Sequence, residues 1–334
     1  MGRIDIFNPK ISKVHSSIEG KSLLIYSNEN KVGKTAQSAR MPKPFYLRFE
    51  AGINAVNGLA FADLTSWREF KDVNKQLTDP KYIDQAKEMY QTIIFDTVDV
   101  AAKWCESYIC SCEAVNDLRQ IPYGGGYKKF ENEWFNEINK LTNAGYTLIF
   151  IAHAKETTVT DPDTNEEYIQ MVPFGSTRDI KLIRDLCDLI GFVKSNGLDT
   201  EGNEIPSSIY FVNTKYFVAG SRFKYMPKVV KPFTAENLQA AIKEAIEKEE
   251  AESGKGITYA EFKASETVEK MPFEELMNKV GEAGTKLAET KGIEVLQSIV
   301  EEVLGTGKKV SACTEKQYEA VATIYDMIQD ALNG

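Results

Sequence analysis

The sequence has no long apolar run; no stretch approaches the ~18 residues of a membrane-spanning helix. Its first residues, Met1-Gly2-Arg3-Ile4-Asp5-Ile6, hold no apolar core of signal-peptide length, so a cytoplasmic protein without membrane contact is expected. Cysteine is scarce, and none of the five forms a CxxC pair, which argues against a zinc site. Cys105, Cys110 and Cys112 lie close together, Cys187 and Cys313 stand alone, and all five read as reduced packing residues. Histidine occurs only twice, and internal repeats and low-complexity segments are absent. Positive charge is also short: 40 Lys and Arg face 49 Asp and Glu, a net charge of −9, which excludes a globally basic nucleic-acid binder.

What is present is ordinary globular composition: 334 residues, 43% hydrophobic and 27% charged, enough for about two domains. The acidity is not evenly spread. Residues 234–334 hold 11 basic and 20 acidic residues, whereas residues 1–233 hold 29 of each. A neutral body can still present a basic groove, so nucleic acid stays open for the larger part. The charge break marks three expected segments: a core over 1–233, a helix and linker over 234–257, and an acidic helical domain over 258–334.

Short β-rich apolar runs recur at Ser22–Tyr26, Phe45–Phe49, Thr92–Phe95, Thr147–Ala152, Leu189–Val193 and Ile209–Val212. Amphipathic stretches such as 98–118 and Phe130–Asn143 separate several of them. Buried strand, helix, buried strand predicts an α/β fold with a mostly parallel sheet. Glu156–Val172 and Leu189–Val212 read as hairpins around tips rich in Asn, Asp, Gly and Pro. Thr234 is placed to cap a helix whose apolar face is Leu238, Ala241, Ile242, Ala245 and Ile246. Beyond it, Phe273–Val280, Ile293–Leu304 and Glu315–Leu332 are amphipathic, and glycines 281, 284, 292, 305 and 307 are expected to separate them.

The chemistry concentrates at Leu23-Leu24-Ile25-Tyr26-Ser27-Asn28-Glu29-Asn30-Lys31-Val32-Gly33-Lys34-Thr35, a buried strand entering a Gly-Lys-Thr loop before a helix. That is the context of a Walker A phosphate loop spanning Asn28, Glu29, Asn30, Lys31, Val32, Gly33, Lys34 and Thr35. Its backbone N–H groups would cradle the phosphates of ATP, Lys34 would reach the β- and γ-phosphates, and Thr35 would offer its hydroxyl to Mg²⁺. Asn28 stands where the pattern has its first Gly, and Asn is the side chain that best tolerates positive φ there. Thr92-Ile93-Ile94-Phe95-Asp96 ends in the carboxylate expected to hold the Mg²⁺ shell, while Asp99 is expected to face the following helix. Glu50 ends another strand and is the candidate to orient the attacking water. His153 ends the Thr147–Ala152 strand, where it would hydrogen-bond the γ-phosphate.

These strand ends, in this order, resemble the RecA-type ATPase core. They are most similar to phage nucleotide-binding proteins of the AAA family, the Sak-type single-strand annealing ATPases. The resemblance spans residues 20–233. It places Walker A on Asn28–Thr35 and Walker B on Ile93–Thr97. The strand-end acid falls on Glu50, with a small-residue loop at Asn54–Gly58. The apolar strand ending in Ala-His falls on Ile149–His153, a strand-start acid on Asp188, and a closing loop on Ser221–Pro227. It implies Mg²⁺-dependent ATP hydrolysis in DNA recombination or replication, homo-oligomers, and a host bacterial cytoplasm if the chain is phage-encoded. Arg222 and Lys224 become the candidates to reach a neighbour's γ-phosphate. The Pro122–Lys129 segment becomes a mobile loop for single-stranded DNA, with Tyr123 and Tyr127 to stack on bases and Lys128 and Lys129 to meet phosphates. The acidic tip of Glu156–Val172, in the other DNA-facing slot, would repel a phosphate backbone. Two further readings stand beside the ATPase. One is a nucleotide-dependent scaffold that recruits a single-strand DNA-binding or replisome protein through the acidic domain. The other is a loader or packaging ATPase.

Overall fold

Leu23-Leu24-Ile25-Tyr26 is apolar at every position, which suits a strand covered on both faces. The computed structural model describes residues 14–15, 17–50, 58–175, 177–253, 256–257 and 271–333. Its strands are β1 Val14–His15, β2 Ser22–Ser27, β3 Pro44–Arg48, β4 Ala60–Asp63, β5 Thr92–Asp96, β6 Thr147–Thr160, β7 Glu167–Pro173, β8 Leu189–Lys194, β9 Ser208–Tyr210, β10 Gly220–Ser221, β11 Val229–Val230 and β12 Gly256–Ile257. Its helices are α1 Lys34–Ser38, α2 Trp67–Thr78, α3 Ile83–Met89, α4 Val98–Cys112, α5 Gly125–Asn143, α6 Thr177–Leu186, α7 Ala235–Ser253, α8 Phe273–Lys291, α9 Ile293–Leu304 and α10 Tyr318–Asn333. The expected small-residue loop at Asn54–Gly58 lies outside the described residues except for Gly58, as do residues 258–270.

Ten strands form one sheet, whose main path runs β11-β9-β8-β2-β6-β5-β3-β4. Neighbours from β8 to β4 are parallel. The additions at β7, β9, β10 and β11 are antiparallel, so the expected α/β, mostly parallel sheet is what forms. Both expected hairpins are present, β6–β7 and β8–β9. β1 and β12 make a separate parallel pair.

Strand alternation sorts the side chains into two layers. Leu24, Tyr26, Phe95, Phe150 and Phe192 point to one face and meet Trp67 and Phe70 of α2, Trp134 of α5 and Ile183 of α6. An aromatic series runs through it: Phe150 on Phe95, Phe95 on Phe70, Phe70 on Trp67, and Trp67 stacked on Trp134 at 5.2 Å. Leu23, Ile25, Ile94, Ile149, Ile151 and Ile209 point the other way and meet Leu238, Ala241, Ile242 and Ile246 of α7. The expected cap holds, with the Asn237 N–H donating to Thr234 Oγ1 at 3.1 Å. The helix expected to lead into a linker is therefore the second covering layer of the sheet.

The described residues divide into two compact units, 14–257 and 271–333. In the second, α8, α9 and α10 close around Leu276, Leu287, Val321, Ile324 and Ile328. Gly281 and Gly284 do not separate helices as expected; both lie inside α8. A Cβ at Gly284 would meet Leu296 of α9 at 3.5 Å, an ordinary contact distance. Among the described residues no helix is long and apolar enough to cross a membrane.

The glycine-rich segment also differs from expectation. Pro122–Gly124 is one 3-10 turn, and Gly125 already begins α5. A Cβ on Gly126 would come within 2.2 Å of the Leu118 carbonyl oxygen. Gly126 thus serves close backbone packing rather than mobility. We expect Gly126→Ala to lower stability by about 1–3 kcal/mol, read as a fall in the urea midpoint; an unchanged midpoint would show the segment to be loose.

Candidate functional site

In open parallel sheets ligands gather at the carboxyl ends of the strands. Here β2, β3, β5 and β6 bring the Walker A loop, Glu50, Asp96 and His153 to that edge. Together they line a pocket of about 360 Å³ with Asn30, Lys31, Val32, Gly33, Lys34, Thr35, Ala36, Thr97 and Ile151.

The loop takes its bend at two residues, Lys31 with φ 61° and Gly33 with φ 91°. Asn28 is not among the positive-φ residues. The turn therefore does not need a glycine at position 28, and the departure from the Walker A pattern costs no backbone strain. Left-handed residues within a turn aim successive N–H groups into one concavity, the anion-binding geometry that phosphates occupy. Gly33 caps α1, which begins at Lys34 and is only five residues long. Pro42 and Pro44 come soon after and oppose its continuation. Lys34 Nζ donates to the Glu29 carbonyl at 3.2 Å, holding the loop closed on itself. Burial pulls the Lys34 ammonium below its usual range, opposed by Asp96, Asp99, Glu50 and Glu29.

Asp96 is the junction of the site. It is 6% exposed. One of its oxygens, Oδ2, accepts from Thr35 Oγ1 at 2.9 Å and from Tyr46 OH at 2.6 Å. Tyr46 stands on β3, Asp96 on β5, and Thr35 lies just past β2, so the bond from Thr35 passes over the end of β6. A hydroxyl beside a carboxylate is the hard-oxygen pair that Mg²⁺ takes when phosphates and waters supply its other ligands. Among the described residues no three His, Cys, Asp or Glu side chains converge as an all-protein metal cage. The donor set thus fits a metal carried by a nucleotide, with Thr35 and Asp96 to hold it. Sequence reasoning missed Tyr46, whose place in an apolar run read as packing alone.

Glu50 and His153 meet across the pocket, with His153 Nε2 3.8 Å from Glu50 Oε1. Partial burial pushes the Glu50 carboxyl above the usual Glu range; His153 pulls it back, while Asp96 and Asp99 push it further up. The other ring nitrogen of His153, Nδ1, lies 3.3 Å from Asp99 Oδ2. Asp99 was expected to face the following helix, and it faces the site instead. It occupies the second position of α4 and is 5% exposed.

Other expected residues fall elsewhere. Lys129 pairs with Glu113, just past the C-terminus of α4, and Tyr127 packs against the aromatic core. Nearly the whole of α4 separates that point from Asp99, about 21 Å of helix. Tyr123, 106% exposed, and Lys128 remain on the surface. Arg222 donates to the Leu186 and Asp185 carbonyls at the end of α6 and to Asp188. Asp188 in turn accepts from the Ser22 N–H at 3.0 Å. This cluster ties down the amino ends of β2 and β8, the edge opposite the phosphate loop. Lys224 pairs with Glu252 of α7. Arg222 and Lys224 are therefore engaged inside their own chain, both with more than half of the side chain exposed. Glu29 also accepts from the Ser195 N–H at 3.3 Å, joining the phosphate loop to the residue after β8.

Removing the Tyr46 hydroxyl isolates its contribution to Asp96. We expect Tyr46→Phe to cost about 1.5–3 kcal/mol of stability, as for a hydrogen bond to a charged group. Urea denaturation reads it, and a loss within experimental error would show that Asp96 does not depend on the phenol.

A family model described as an AAA domain matches residues 19–223, a span that includes the phosphate loop, Glu50, Asp96 and His153. The chain is also similar, at 42% identity over 331 residues, to the SPbeta prophage-derived uncharacterized protein YorG of Bacillus subtilis (strain 168). That likeness covers 98% of this chain and 99% of the relative, so it takes in both units. A strand–Gly-Lys-Thr loop–helix, with Thr35 hydrogen-bonded to a strand-end Asp, is the nucleotide site such a domain is built around, and the chain belongs to the AAA-domain family.

Proposed function

We propose that the chain is a Mg²⁺-dependent ATPase of the phage RecA-core type, acting with single-stranded DNA in recombination or replication. One observation carries the hydrolytic part: Lys34, Thr35, Glu50, Asp96 and His153, far apart in sequence, line a single pocket. On binding, Lys34 exchanges the Glu29 carbonyl for the β- and γ-phosphates, and the N–H groups of 31–35 close on the phosphate oxygens. Thr35 and Asp96 hold Mg²⁺, which supplies charge neutralisation to the phosphates. Glu50 orients water toward the γ-phosphorus and takes its proton, a task suited to a carboxyl raised toward neutral pH. His153 hydrogen-bonds the γ-phosphate.

The DNA part rests on surface side chains. Tyr123 and Lys128 are exposed on the turn before and the first turn of α5, where a base and a phosphate can meet them. The prophage origin of the relative supports a phage setting. A homo-oligomer belongs to the same reading, with Arg222 and Lys224 as the candidates to act in trans. A scaffold that binds nucleotide without turning it over is separated by measuring binding beside turnover.

Phosphate release should fall at least about 100-fold in Lys34→Ala, and single-stranded DNA should raise turnover in the wild type. Equal turnover in both proteins would refute the enzyme. The rate should also have an acid limb above the ordinary Glu value of about 4.3, because Glu50 works only once ionised. In His153→Gln that limb should move to higher pH, since the imidazole that pulls Glu50 down is gone. Loss of the limb in that variant would assign it to His153 instead.

A further inference from the structure

The position of Asp99 is not explained by the local demands of its helix. Residues in the first turn of a helix commonly accept from free backbone N–H groups. No such bond is made by Thr97, the capping residue of α4. Asp99, though nearly fully buried, leaves Oδ1 without a hydrogen-bond partner. Its other oxygen, Oδ2, lies 3.3 Å from Nδ1 of His153. A buried carboxylate that gives up one oxygen and points the other at an imidazole has a role in that imidazole's orientation.

The surroundings of the ring agree. His153 stands between two carboxylates, Asp99 at Nδ1 and Glu50 at Nε2. The Nδ1 side is closed, because Asp99 is 5% exposed and belongs to a fifteen-residue helix. The Nε2 side opens on the pocket that holds Lys34, Thr35 and Asp96. An ionised carboxylate only accepts hydrogen bonds, so it selects the ring form with a proton on Nδ1. An outer group of this kind fixes both tautomer and ring direction in other His sites.

We propose that Asp99 is a positioning residue: accepting from Nδ1–H, it fixes the direction of the His153 ring, so that Nε2 faces Glu50 and, in the doubly protonated ring, is the N–H presented to the γ-phosphate of a bound nucleoside triphosphate. This deepens the ATPase reading and rests on it. Without nucleotide, Nε2 faces Glu50. With nucleotide, the same nitrogen is shared between phosphate and Glu50, so arrival of the γ-phosphate changes what holds the water-orienting carboxylate. Asp99 is not among the residues that line the pocket, and its contact with the site is made through His153.

The test uses the full chain labelled with ¹⁵N-histidine. Two histidines give only two sets of ring signals, and His153→Gln assigns them. At about pH 8.5, where a free imidazole is neutral, the wild-type His153 Nδ1 should retain the shift of a protonated nitrogen. In Asp99→Asn and Asp99→Ala that signal should move toward the unprotonated range. Two variants are used because the Asn amide is isosteric and preserves packing, while Ala removes both oxygens. A wild-type ring protonated at Nε2 instead, or a ring signal unchanged in both variants, overturns the proposal. In parallel, Asp99→Ala should lower kcat for Mg-ATP by about 10- to 100-fold with little change in KM. Unchanged kcat, or a loss confined to KM, overturns it as well. If the wild type shows no turnover, the ATPase reading fails, and the ring-nitrogen measurement still decides whether Asp99 sets the tautomer.

Discussion

Three segments that share no local sequence meet at one carboxylate oxygen. Asp96 Oδ2 accepts from Thr35, at the start of α1, and from Tyr46, on β3. Because β6 separates β2 from β5, this contact requires β2, β6, β5 and β3 side by side in their observed order. The charge is buried, and two hydroxyl donors offset its loss of water. The phosphate loop takes its place relative to the Walker B strand from this oxygen. Glu50 and His153 reach the same pocket because β3 and β6 flank β5 in register. Disrupting the junction would remove the loop anchor and the geometry that brings Glu50 and His153 together at the same pocket.

Much of this was legible in the sequence. Apolar runs with β-branched residues gave six strands, and the Gly-Lys-Thr loop and the strand-end acids gave the pocket edge. His153 was expected to end its strand, yet β6 continues to Thr160, and only its parallel pairing with β2 stops at His153. Each of those signals is local, confined to one strand and the few residues after its carboxyl end. The parts that were not legible depend on a partner distant in sequence. Tyr46 looks like any buried aromatic until Asp96 is found opposite its hydroxyl. Asp99, three residues after Asp96, reads as a helix-start acid until His153 is seen 54 residues away. Gly126 reads as a mobile residue because a missing side chain signals either freedom or crowding, and only the Leu118 carbonyl behind it decides. Arg222 and Lys224 have the charge for a trans-acting role, and helix-end carbonyls and nearby carboxylates engage them.

The charge of the chain divides differently from its packing. The net −9 comes from residues 234–334, but that stretch is not one structural piece. Its first helix, α7, is a covering layer of the sheet, and its apolar face belongs to the same core as β2 and β6. Only 271–333, among the described residues, forms a separate helical unit with its own core. The composition break thus falls one helix before the packing break. The likeness to the prophage-derived relative extends over both units, so the helical unit is part of the shared architecture.

On the proposed function, the pocket joined by Asp96 receives the phosphates of Mg-ATP. The most direct measurement is a structure of the full chain with Mg²⁺ and a non-hydrolysable ATP analogue. Binding in this pocket places the β- and γ-phosphates against the N–H groups of 31–35, with Lys34 Nζ moved from the Glu29 carbonyl onto them. It also places the metal beside Thr35 Oγ1 and Asp96. An analogue bound away from this loop, or Lys34 still on the Glu29 carbonyl with phosphate present, would contradict it.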